Sequence, residues 1–119
     1  MLNNSRLAAI AALTSKVTIY IPATINVNKT INNTAYVDAA ATMLSNMFGG
    51  ATSEQVSGYW VSDTINSLVK ESTTKVYANC NESDLDANLD TILDFAEKLK
   101  VELNQDAIAV EIDGGLYFI

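Results

Sequence analysis

The chain has 119 residues, 49% of them apolar, which fits one domain with a single core and excludes a disordered chain. Its 14 acids against 7 bases give a net charge of −7, which disfavours phosphate backbones and anionic membranes and favours basic protein surfaces or cations. There is no histidine and one cysteine, Cys80, so an intrachain disulfide is excluded and the commonest general base and zinc ligand are missing.

Residues 1–16 carry Arg6 ahead of a short apolar run, too brief for a membrane span and weak as a secretory signal. A short helix or extension is expected there, followed by a single domain over 17–119. Residues 17–25 alternate and are β-branched, which predicts a strand with Val17, Ile19 and Ile21 on one face. Pro22 has no N–H and should mark its end or a bulge. Residues 26–33 are polar and read as a loop.

Apolar residues at helical spacing predict a helix over 34–48, capped by Asn33 or Thr34 and stopped by Gly49-Gly50. Residues 51–63 read as a strand, and residues 68–80 as its partner. Thr74, Val76, Ala78 and Cys80 would then face the core, with Glu71, Thr73, Lys75 and Tyr77 opposite. The clearest helix is 81–104, where Leu85, Leu89, Ile92, Ala96, Leu99 and Leu103 form one stripe. Asn81 or Ser83 would cap it, and Ser83 with Asp86 suggests a capping box. A strand over 107–112, a type I′ turn at Asp113-Gly114 and a fifth strand over 115–119 complete the chain.

This order predicts an α+β, βαββαβ ferredoxin-like sandwich: an antiparallel sheet, two helices on one face, and a C-terminal hairpin. The hairpin's apolar Leu116, Tyr117, Phe118 and Ile119 are expected to be ordered and buried.

Ten of the 14 acids lie between Glu82 and Asp113. Asp86, Asp90, Asp94 and Glu97 would form an exposed carboxylate stripe, read as a surface for a basic partner or as a solvated face. Tyr20 and Tyr77 would share the open sheet face, with Tyr59 or Trp60 beside them. Such aromatics suit a protein interface, including self-association, better than base stacking, since the charge opposes nucleic acid. Cys80 reads as a buried inert thiol, because no histidine is present to activate it. Glu71 and Glu111 could face each other across the sheet; nothing in the sequence fixes their separation. No glycine-rich phosphate loop and no calcium-loop pattern occurs.

The segments Val17-Thr-Ile-Tyr-Ile-Pro22, Phe48-Gly-Gly-Ala-Thr52, Gly58-Tyr-Trp60, Leu68-Val-Lys-Glu71 and Val110-Glu-Ile-Asp-Gly-Gly-Leu-Tyr-Phe-Ile119 resemble small ferredoxin-like proteins encoded on phages, plasmids and other mobile elements. The resemblance implies an accessory role such as inhibition of a host defence nuclease.

Charge, stripe and resemblance together lead to the expectation of a non-enzymatic acidic protein in the cytoplasm. It would bind a basic protein surface, such as that of a nucleic-acid-binding protein, through Asp86, Asp90, Asp94, Glu97, Tyr20 and Tyr77. No catalytic residue, cofactor or metal is expected, nor any direct contact with nucleic acid or membrane. The alternative is a small-molecule-binding or enzymatic dimer. Its pocket would lie on the sheet face near Tyr20, Tyr59, Tyr77, Glu71 and Lys75.

Overall fold

The structure is a computed structural model that describes residues 2–26 and 29–119. A four-residue helix α1, Ser5–Ala8, is capped by the Asn4 carboxamide and exposed throughout. Strand β1, Ser15–Pro22, buries Val17, Ile19 and Ile21 and ends at the expected proline. Beyond it, β2, Thr24–Ile25, pairs with β3, Lys29–Thr30, in a two-residue ladder. This ladder occupies part of the expected 26–33 loop; residues 27 and 28 of that loop lie outside the described residues.

Helix α2, Thr34–Phe48, stops at Gly49, whose φ of 88° provides the left-handed cap. Asn33 stands at its start but does not cap it. Its amide donates instead to the carbonyls of Ile21 and Pro22 and to Thr74 Oγ1, tying the helix entry to the end of β1. Strands β4, Thr52–Ser62, and β5, Ser67–Cys80, form a long hairpin. Helix α3, Glu82–Glu102, is capped by Asn81, whose Oδ1 accepts from Asp84 N–H at 2.8 Å. The expected Ser83–Asp86 box does not form, because Ser83 lies inside the helix and its hydroxyl donates to Asn81. Strand β6, Ala109–Ile112, turns through Asp113 and Gly114, both at positive φ, into β7, Gly115–Phe118.

The main sheet is antiparallel in the order β4-β5-β1-β6-β7. The run β4-β5-β1-β6 has ferredoxin-like order, and β7 adds a further edge strand beside β6. Ala40 and Leu44 of α2, with Leu85, Ile92, Ala96 and Leu99 of α3, pack on Val17, Ile19, Ile21, Val76, Ala78 and Val110. Both helices therefore cover one face and leave the other open.

One feature departs from a compact sandwich. The last β1–β5 rung is Pro22↔Thr73, but β4 and β5 continue pairing for six more, from Ser57↔Ser72 to Ser62↔Ser67. This end of the hairpin projects past the sheet. The molecule measures 55 × 29 × 21 Å.

The tail also differs from expectation. Its backbone is held, with Ile108 and Ile119 exchanging two hydrogen bonds at 3.1 and 2.9 Å. However, Leu116, Tyr117 and Phe118 stay exposed, since no layer covers the sheet face or the edge they occupy.

Candidate functional site

Strand alternation puts Thr18 and Tyr20 of β1, Lys75 and Tyr77 of β5, Glu54 of β4 and Glu111 of β6 on the open face. Lys75 Nζ lies 2.8 Å from Glu54 Oε1. The Glu54 hydrogen bond holds the Lys75 ammonium above its ordinary pKa, against slight desolvation, with help from the Glu54 charge. Lys16 and Lys75 stand 4.3 and 5.5 Å from the Tyr77 ring centre. Tyr20 donates its hydroxyl to Glu111 Oε1 at 3.5 Å. The face is thus a flat set of mutually paired charges and rings.

Concave space lies elsewhere: a shallow hollow of about 600 Å³ between the start of α3 and the β6–β7 turn, lined by Asp86, Leu89 and Asp113, and a pair of hollows at the root of the projecting hairpin. Where β1 ends, the outer edge of β5 is left without a strand partner beyond Ser72. The β2–β3 ladder stands beside it. A cleft of about 470 Å³ opens between them, lined by Ala23, Thr24, Thr30, Trp60 and the run Val69, Lys70, Glu71 and Ser72. A second hollow of about 260 Å³ shares Ala23 and Ser72 and adds Asn33, Gln55, Ser57 and Thr74. The ladder wall is fixed in place: Gln105 Nε2 donates to the Thr24 carbonyl at 3.0 Å, and Asn26 N–H to the Leu103 carbonyl at 3.0 Å.

Glu71 is the single carboxylate among the residues lining these hollows. It sits opposite Gly58 in the β4–β5 register. The Gly58 backbone has no positive φ, and an added Cβ would find its nearest neighbour, the Glu71 carbonyl oxygen, 3.9 Å away. Gly58 is therefore needed neither for a turn nor for close packing. Its missing side chain leaves the cross-strand space beside Glu71 open. An aromatic ring, a carboxylate, an ammonium and several hydroxyls converging on a hollow are the makings of a small-molecule site.

The residues proposed from sequence are scattered. Asp86, Asp90, Asp94 and Glu97 are exposed on α3, away from the cleft and from the tyrosines. Tyr20 and Tyr77 share the open face, as expected. Glu71 and Glu111 do not face each other. Thr18 lies between Glu111 and Tyr77, and Glu71 is six residues farther along β5, roughly 20 Å at strand rise. Cys80 is buried at the end of β5, and desolvation, then the charges of Asp113 and Asp84, push its thiol pKa up. Asn33 was singled out from sequence only as a helix cap, and Gln55, Thr30 and Ser72 were not singled out. Only the strand register brings them together.

Among the described residues no helix is long and apolar enough to cross a membrane, and no group of three or more Cys, Asp or Glu is placed to hold a metal ion.

No family model matches the chain, and no curated protein matches it. Solved structures do share its fold. A phage SAM lyase in complex with S-methyl-5'-thioadenosine aligns with a TM-score of 0.65 at 14% identity, covering 92% of each chain. A phage SAM lyase in its apo state aligns with a TM-score of 0.63 at 15% identity, covering 92% of this chain and 94% of that one. These neighbours are enzymes matched over nearly the full length. They overturn the expectation of a non-enzymatic acidic inhibitor. The reading that accords with them is the alternative, a small-molecule-binding or enzymatic ferredoxin-like domain. Net charge misled here because it reports on solubility and steering rather than on chemistry.

Proposed function

We propose that this chain is an enzyme that cleaves S-adenosylmethionine to S-methyl-5'-thioadenosine, and that the cleft at the hairpin root is its active site. The observation that carries this reading is the whole-length fold match to phage SAM lyase, one of the two structures holding that thioether. The contents of the cleft support it. Trp60 offers a ring face for adenine, and Thr24, Thr30 and Ser72 offer hydroxyls for the ribose. Glu71 attracts the sulfonium or pairs with the substrate's ammonium.

The chemistry fits a site without histidine. The bond between sulfur and the aminocarboxypropyl carbon breaks, and its electron pair stays on sulfur, giving the neutral thioether. The carbon regains its fourth bond from the substrate's own carboxylate oxygen, closing a lactone. A second route takes the pair of a neighbouring C–H bond, forming an alkene and passing a proton to Glu71. Neither route consumes water. In the first, a carboxylate and a sulfonium annihilate their charges, so the transition state carries less charge than the bound substrate. The apolar walls that Trp60 and Val69 give the hollow favour such a step, and orientation of the reacting carboxylate contributes the rest.

Carriage on a phage or other mobile element belongs to the same proposal and is supported by the phage origin of both neighbours. A reducing cytoplasm as its place of action fits the buried free thiol of Cys80.

The test is incubation of the purified chain with S-adenosylmethionine and mass spectrometry of the products. Thioether formation above the uncatalysed rate, lost in Glu71→Gln, is the expected result. Absence of product, together with no calorimetric binding of S-methyl-5'-thioadenosine, rejects the reading.

A further inference from the structure

We infer that Gln105 is a positioning residue for the cleft and acts through Thr24: its carboxamide makes the Thr24 hydroxyl a hydrogen-bond donor to the substrate's ribose. The inference rests on the lyase reading and adds a residue that lines neither hollow at the hairpin root.

The β2–β3 wall cannot hold itself. Its strands pair over two residues each, too short a ladder to be stable alone. Thr24 and Thr30 are directly opposite each other in it, and both line the cleft. The wall is therefore fastened from outside. At its root, Ala23 N–H donates to the Ser72 carbonyl at 3.3 Å, and Ile31 N–H to the Ala23 carbonyl at 2.9 Å. At its far end the fastening comes from the residues that follow α3. Asn26 N–H donates to the Leu103 carbonyl at 3.0 Å, and Asn104 Nδ2 to Asn26 Oδ1 at 2.7 Å. Both asparagines have a left-handed backbone, with φ of 55° and 47°, which asparagine tolerates better than most residues. Leu103 is fully buried, so the wall is tied to the core.

Gln105 completes this fastening and does something the backbone bonds do not. Its own N–H donates to the Lys100 carbonyl at 3.0 Å, which sets the residue at the helix end. Its Nε2 reaches three oxygens: the carbonyls of Thr24 at 3.0 Å and Leu103 at 3.3 Å, and Thr24 Oγ1 at 3.4 Å. Carbonyls can only accept, so the NH₂ end must face them and the orientation of the amide is fixed. Toward the Thr24 hydroxyl the amide is therefore also a donor. A threonine hydroxyl has one proton and two acceptor lone pairs, and its proton rotates to suit its partners. With Nε2 on the acceptor side, the Thr24 proton turns away from Gln105 and toward the cleft. A ribose hydroxyl oxygen there is its acceptor. The rotor is set before the substrate arrives, so binding does not have to order it.

Steady-state kinetics on Gln105→Met, Thr24→Val and the double variant test the inference on the whole chain. Gln105→Met keeps an unbranched stem and removes the donor. Thr24→Val removes the hydroxyl at nearly constant shape and keeps every backbone bond of the wall. Each single variant should raise KM for S-adenosylmethionine roughly three- to tenfold with kcat held, as loss of one hydrogen bond away from the breaking bond does. The double variant should match Thr24→Val, because Gln105 then has no hydroxyl to orient. Additive losses would make Gln105 a structural support only and overturn the inference. Calorimetry reads binding alone, with S-methyl-5'-thioadenosine and its 2'-deoxy and 3'-deoxy analogues. The wild type should bind one deoxy analogue more weakly than the parent, and Gln105→Met should bind the two alike. A full wild-type preference in Gln105→Met also overturns it. If Gln105→Met does not fold, Thr24→Val carries the test: a wild-type KM overturns the inference, and loss of the preference supports it. A wild type that neither cleaves S-adenosylmethionine nor binds the thioether rejects the lyase reading and this inference with it. An active wild type with unaffected variants rejects this inference alone.

Discussion

Asp113 grips Lys16 from both sides: its Oδ1 accepts the Lys16 N–H at 2.8 Å, and its own N–H donates to the Lys16 carbonyl at 3.1 Å. Its second oxygen accepts from the buried Ser15 hydroxyl at 3.0 Å. The carboxylate that ends the acidic run is thus a fastener between the β6–β7 turn and the start of β1. Asp113→Ala removes both acceptors and puts alanine at a φ of 49°. It should cost about 1–3 kcal/mol in denaturant melts. Asp113→Asn keeps one acceptor oxygen and tolerates the left-handed backbone, so its loss should be clearly smaller.

Cys80 links stability to alkaline pH. Its folded pKa is raised above the ordinary 9.0, first by burial and then by Asp113 and Asp84. Above the unfolded pKa the unfolded chain has released the thiol proton while the folded chain retains it. Stability must therefore be full below about pH 9 and fall as pH rises toward the folded value. Cys80→Ala should flatten that alkaline decline and cost a small cavity at neutral pH, on the order of 1 kcal/mol. Melts at neutral and alkaline pH on both proteins check it, and an equal alkaline slope in the variant would remove Cys80 as the cause.

Much of this fold could be read from local pattern. The stripe from Leu85 to Leu103 is buried on α3 apart from a partly exposed Leu89, Gly49 stops α2, Pro22 ends β1, and Asp113-Gly114 makes the primed turn. Each signal lies within a few residues, where propensity and periodicity act. The cleft could not be read that way. Thr30, Trp60 and Glu71 come from three segments, and their meeting depends on where β1 stops pairing with β5. Alternation in residues 67–80 says which side chains share a face. It does not say that the partner strand runs out at Thr73. Glu71 was visible as one strand carboxylate among several. The cue to single it out was Gly58, whose significance needs the register that places it opposite.

The α3 carboxylates should prove to be a solvated face. Replacing Asp86, Asp90 and Asp94 together by Asn removes like charges at i,i+4 spacing, and stability should rise by a few tenths of a kcal/mol per pair. Thioether formation from S-adenosylmethionine should not change, since none of the three lines the cleft. A melt and a rate on the same sample decide the matter, and a large rate loss at full folding would return this helix to the functional surface.

The tail contributes less than its composition suggests. Leu116, Tyr117 and Phe118 remain in water, whereas Ile119 packs against the core and pairs with Ile108. Deleting residues 115–119 should therefore cost roughly one buried isoleucine, about 1.5–3 kcal/mol, rather than three or four. Thermal unfolding of the truncated chain measures it.

The sharpest probe of the cleft fills it without touching its chemistry. At Gly58 the backbone is ordinary strand and the space for a Cβ is free, so Gly58→Val suits the sheet and should fold at least as well as the wild type. Its side chain would enter the cross-strand space beside Glu71 and exclude the ligand. Binding of S-methyl-5'-thioadenosine should weaken at least tenfold with the melting temperature held or raised. Glu71→Gln changes charge at constant shape, so it should lower the rate of cleavage by about 10²–10⁴-fold if the carboxylate moves the proton. A smaller loss, seen mainly in KM, is expected if it only pairs with the substrate's cation. Trp60→Ala should weaken binding by the roughly 1–3 kcal/mol of a lost base stack. A Gly58→Val protein that binds and cleaves like the wild type would reject this cleft as the proposed site, and the hollow lined by Asp86, Leu89 and Asp113 would be the next to test.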